Sequence, residues 1–113
     1  RIKTMPEKIK VQVDESLKDL IPKYLIHRKE DAEKIGQFLA VGDIASVQRI
    51  GHKIKGTALS YGFVGLETIG KSIELFAKEN NEAEIRKMLS QLTEYLANIE
   101  IVYNGWKSKR RPN

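Results

Sequence analysis

His52 lies in the run Gly51-His52-Lys53-Ile54-Lys55-Gly56, and the spacing within that run gives the imidazole something to do. On a helix, Lys55 comes three positions later on the same side, so its ammonium can stand beside anything attached to the ring. Gly56 comes four positions later, one turn above. Glycine there costs ~1 kcal/mol of helix stability relative to alanine, and an exposed helix interior has no backbone reason to accept it. Gly56 therefore reads as clearance, letting another protein's surface approach the imidazole. From Ile44 to Leu66 the chain carries Arg49, Lys53 and Lys55 and no acid, so an incoming anion is attracted. Free imidazole titrates near ~6.5, which leaves most of it neutral at pH 7 with a lone pair on one nitrogen. Such a ring is a nucleophile competent toward phosphorus, with Lys55 offsetting charge on the transferred group.

The elements that must hold these residues follow from periodicity. Apolar residues recur at three- and four-residue intervals, the helical period. The pattern predicts a short helix capped by Asp14 and reaching Leu20, then helices over about 21–39, 44–61, 65–79 and 82–102. Pro22 fits a first turn, while Val41-Gly42-Asp43, Gly62 and Asn80-Asn81 mark the breaks. Core stripes run through Ile44, Val47, Ile50, Ile54 and Ala58, and through Leu66, Ile69 and Ile73. At about 100° per residue, His52 falls roughly 150° from the centre of its helix's apolar stripe and faces solvent. Gln48, Arg49 and Leu59 share that exposed face, and together with Lys53 they are candidate partner contacts. Short connections make consecutive helices antiparallel. The expected fold is all-α, an antiparallel four-helix bundle with a short additional N-terminal helix and no sheet. Residues 1–12 read as an extended lead-in or linker, 13–103 as the bundle and 104–113 as a basic tail. Tyr103 and Trp106 close the end of the bundle or mark its exit.

Composition narrows the function. The chain has 113 residues, a formal charge of +5 and no cysteine, so disulfide and thiolate chemistry are excluded. Four cations against Glu7 give residues 1–12 a charge of +3, and Lys107, Lys109, Arg110 and Arg111 give 104–113 a charge of +4. That leaves −2 for residues 13–103. A nucleic-acid-binding domain concentrates cations on its folded surface, so this distribution argues against one. No apolar run approaches the ~20 residues that span a bilayer, and the expectation is a cytoplasmic monomer without membrane attachment. Gly65-Leu66-Glu67-Thr68-Ile69-Gly70-Lys71-Ser72 matches the phosphate-loop pattern in letters. Its apolar residues keep helical spacing throughout, so a nucleotide site is not expected there. His27 lacks the lysine-glycine companions and reads as structural. No metal-ligand spacing is present, and Thr57 and Ser60 have no histidine-carboxylate partners.

The run Gly51 to Ala58, followed by Tyr61-Gly62-Phe63 and Leu66, resembles the histidine-containing phosphotransfer (HPt) domain. That family's pattern is a histidine, two residues, lysine-glycine, a small-residue stretch, a glycine and a leucine; Gly70 and Ile73-Glu74 look like its later elements. The resemblance spans about Leu20 to Val102. It implies a phosphorelay carrier without an ATP site, free-standing or part of a hybrid histidine kinase. His52 would accept a phosphoryl group from a receiver-domain phospho-aspartate or a histidine kinase and pass it to a response-regulator aspartate. Lys55 would stabilise the phosphate and Gly56 provide clearance. The domain would hold no cofactor of its own, and Mg²⁺ would come with the partner receiver domain. A rival reading is a helical docking module that binds receivers without phosphotransfer. A third is an RNA- or membrane-associating protein that uses the cations of 107–111.

Overall fold

The computed structural model describes residues 8–105. In chain order the elements are strand β1 (Ile9–Asp14), helices α1 (Ile21–Ala40), α2 (Ile44–Tyr61), α3 (Val64–Lys78) and α4 (Glu82–Asn98), and strand β2 (Ile99–Asn104). Local chemistry sets the boundaries. Pro22 occupies the first turn of α1, where its missing N–H costs nothing. Gly42 at φ 75° and Gly62 at φ 87° turn the chain out of α1 and α2 in the left-handed region. Asp43 and Asn81 cap α2 and α4 by accepting from the backbone N–H of Ser46 and Glu84. Ile35, Val47, Ile54, Phe63, Leu66, Ile73, Ile85 and Leu92 are fully buried, one continuous core fed by all four helices.

Two expectations are corrected at the ends. The predicted short N-terminal helix is a single 3₁₀ turn, Glu15–Leu17, with Asp14 accepting from the Ser16 N–H. The second correction concerns the sheet. β1 and β2 pair in parallel, in register from Ile9 opposite Ile99 to Asp14 opposite Asn104. The last helix therefore ends at Asn98, not 102, because Ile99 is already extended at φ −74° and ψ 138°. From there Ile99, Ile101 and Tyr103 alternate, and β-branched residues favour a pleated partner over another helical turn. Parallel strands need a crossover, and here the whole helical bundle supplies it. The expected extended lead-in is thus a paired strand from Ile9 onward, with Val13 buried. Trp106 and the cations of 107–111 lie outside the described residues.

Two contacts hold α2 in place. An added Cβ on Gly51 would stand 2.7 Å from the Glu74 backbone nitrogen, and one on Gly70 would stand 2.6 Å from that of Lys55. The backbones of α2 and α3 therefore touch at this pair. On the opposite flank, buried Asp31 of α1 accepts from Arg28 Nε at 2.8 Å and from Lys53 Nζ at 3.0 Å. Arg28 Nη1 also donates to Thr57 Oγ1 at 3.2 Å, and the Tyr24 hydroxyl lies 3.3 Å from the same oxygen. Burial pushes the Tyr24 phenol above its ordinary pKa, so it stays protonated in this network. Pinned from both sides, α2 has one rotation about its axis.

Candidate functional site

That rotation presents His52 to solvent with its side chain 68% exposed. The ring is nonetheless held. Its Nδ1 lies 2.9 Å from Glu74 Oε2, a contact reaching from α2 to α3. A carboxylate can only accept, so Nδ1 carries the proton in the neutral ring and Nε2 keeps the lone pair. Among the described residues Nε2 has no hydrogen-bond partner. Lys55 Nζ reaches the other carboxylate oxygen, Glu74 Oε1, at 2.8 Å. Lys78, one turn on from Glu74, stands 4.0 Å from Oε2.

Glu74 is thus the hub of the site. The Lys55 hydrogen bond, foremost, and that of His52 hold its carboxyl below the usual range, against the opposing effect of burial. Sequence reasoning noted Glu74 only as part of a family pattern. From the absence of acids between Ile44 and Leu66 it expected no carboxylate near His52. The structure supplies one from the next helix. The available signal was positional: Glu74 follows the buried Ile73, at the level where Gly51 and Gly70 let the two helices meet.

The other candidates are placed as follows. A Cβ at Gly56 would meet nothing within 4 Å, so the surface above His52 is bare. Leu59 is 62% exposed, on the same face. Arg49 is exposed and donates to Ser46 Oγ at 2.9 Å, while Gln48 is half-buried. Lys53 turns away toward α1 and Asp31. His27 is exposed on α1, away from the core that a structural role would use. The phosphate-loop lettering of 65–72 lies wholly inside α3, preceded by the turn at Gly62 and not by a strand. No group of three or more His, Asp or Glu side chains is placed to hold a metal among the described residues, and no described helix is long and apolar enough to cross a membrane.

A solvent-facing imidazole with one nitrogen fixed by a carboxylate and a lysine alongside is equipped to take and give a phosphoryl group. The protein-family comparison gives the family: the Hpt domain model matches residues 19–101. The chain belongs to the Hpt domain family. The match runs from just before α1 into β2, so it covers the entire bundle. Hpt domains are phosphocarriers, not enzymes in general, and act in two-component phosphorelays with receiver domains and kinases as partners. Neither the curated proteins nor the solved structures gave a significant match.

Proposed function

We propose that His52 is the phosphoacceptor of this Hpt domain. It takes the phosphoryl group from a receiver's phospho-aspartate, or from a histidine kinase, and returns it to the aspartate of a response regulator. The observation that supports this best is the held but exposed ring: Nδ1 tied to Glu74 and Nε2 open to solvent.

In the forward step the Nε2 lone pair attacks phosphorus and the P–O bond to the aspartyl carboxyl breaks. The carboxylate leaves with the electron pair, and an Nε2–P bond forms. The Nδ1 proton stays where it was, donated to Glu74. The ring becomes cationic as it takes the phosphoryl group, and the adjacent Glu74 carboxylate stabilises that charge. Lys55 then moves from Glu74 Oε1 toward the phosphoryl oxygens, offsetting the repulsion between phosphate and carboxylate. Positioning supplies the rest of the rate. Bare backbone at Gly56 admits the receiver, with Gln48, Arg49, Lys53 and Leu59 as rim contacts. Mg²⁺ belongs to the receiver's acidic pocket. Connections of three, two and three residues make the four helices run antiparallel, and the domain works as a cytoplasmic monomer.

The experiment is incubation with a phosphorylated receiver. The expected result is acid-labile, base-stable label on the wild type and none on His52→Gln. Receiver binding without label on the wild type would overturn the assignment.

A further inference from the structure

A cleft of about 440 Å³ opens between α1 and α2, beside the His52 face. Lys34 and Gln37 form its α1 wall, Arg49 and Lys53 its α2 wall, and Phe38 and Ile50 its apolar floor. No carboxylate lines it. Asp31 is engaged by Arg28 and Lys53, and Asp43 by Ser46. Arg49 is held in place through Ser46 Oγ, which in turn donates to Asp43 Oδ2 at 2.7 Å. Among the described residues Lys34 makes no ion pair. Arg49 comes one turn before His52 and Lys53 directly after it. A body seated over the imidazole therefore overhangs this cleft on one side and Glu74 on the other.

We infer that the cleft is a second contact for the receiver, taking a carboxylate-bearing side chain against its cationic walls and a neighbouring apolar side chain on its floor. The inference rests on the phosphotransfer reading of His52 and adds what selects the partner. Charge complementarity carries it. Lys34 and Arg49 make no ion pair among the described residues and Lys53 shares Asp31 with Arg28, so the cleft's cations outnumber the carboxylate paired with them. That excess attracts an acidic segment, steers its approach and repels a basic one. The apolar floor gives the encounter an orientation that the exposed ring alone does not provide.

The test uses the α1 wall, which takes no part in the chemistry. Transfer from a phosphorylated receiver is measured against receiver concentration for wild type, Lys34→Glu/Gln37→Glu and Gln37→Lys. Labelling by phosphoramidate, a small donor that needs no docking, is followed in parallel. Reversing the wall should raise the half-saturating receiver concentration about tenfold at low salt, with the maximal rate and phosphoramidate labelling unchanged. Gln37→Lys should lower that concentration by about threefold, and 0.5 M salt should bring the three proteins together, because at that ionic strength the Debye length is well under ~8 Å. Equal half-saturation in all three, or a change in maximal rate alone, overturns the cleft as a contact. Wild type labelled by neither donor overturns the phosphoacceptor reading itself. Phosphoramidate labelling alongside equal half-saturation leaves that reading standing and removes only the cleft.

Discussion

At the scale of single residues, the site is a balance of charges around one ring. Lys55 neutralises Glu74 at rest; in the proposed mechanism Glu74 fixes which nitrogen attacks, and the phosphoryl group competes for that lysine on arrival. Glu74→Gln keeps an oxygen near Nδ1 but removes the charge that stabilises the ring as it becomes cationic. Labelling of His52 by phosphoramidate should slow by about tenfold or more, measured as an initial rate; an unchanged rate would remove Glu74 from the mechanism. The same residue predicts a pH dependence. Its folded pKa is depressed, chiefly by the Lys55 hydrogen bond. Its contribution to stability is therefore complete above the unfolded carboxyl pKa of about 4.3 and is lost as pH falls through the lower folded value. Urea unfolding of Glu74→Gln should show a shallower acid loss than wild type. At this scale His52, Lys55 and Gly56 were legible in the sequence because they share one helix, where spacing alone fixes the face. Glu74 was not, because its place beside His52 depends on how two helices cross.

Among the elements, α2 and α3 meet through Gly51 and Gly70, and that contact sets the reach from His52 to Glu74. A side chain at Gly70 must push the helices apart, because its Cβ would fall within 3.0 Å of backbone. Gly70→Val should destabilise the fold by about 2–3 kcal/mol through overpacking and slow His52 labelling, read from thermal unfolding and phosphoramidate rates. Gly56 makes the opposite case. Its missing side chain faces empty space, so Gly56→Ala should stabilise the helix by about 0.5–1 kcal/mol. Transfer from a receiver should nonetheless slow while phosphoramidate labelling does not. Stabilisation with undiminished receiver transfer would refute the clearance role. The helices themselves were readable from their stripes and breakers, with α2 matching its expected span. The end of α4 was not, because Leu92, Leu96, Ile99 and Val102 keep helical spacing across Asn98. Only a strand some ninety residues earlier in the chain decides the question.

Across the whole molecule, that strand pair ties the two ends of the bundle together. β1 precedes the first helix, β2 follows the last, and Val13 is buried between them and the core. Val13→Asp places a charge in that apolar seam. It should lower stability by about 2–4 kcal/mol, as burial of an unpaired charge does. Phosphoramidate should still label His52 below the unfolding transition, since α2 and α3 are pinned elsewhere. Loss of labelling in the folded variant would mean that the seam positions the site directly. Charge is also arranged at this scale: residues 13–103 are near neutral in sum, and Lys34, Arg49 and Lys53 gather along one cleft beside α2. The cations of residues 1–12 and 104–113 are read from the sequence alone, whereas the cleft between α1 and α2 required both helices to be placed.

The most direct test of the central claim is heteronuclear NMR of His52 in the protein labelled with ¹⁵N, before and after phosphoryl transfer. The account predicts a neutral ring protonated at Nδ1 before transfer and phosphorus coupled to Nε2 afterwards. Phosphorus on Nδ1, on His27 or on no histidine would contradict it.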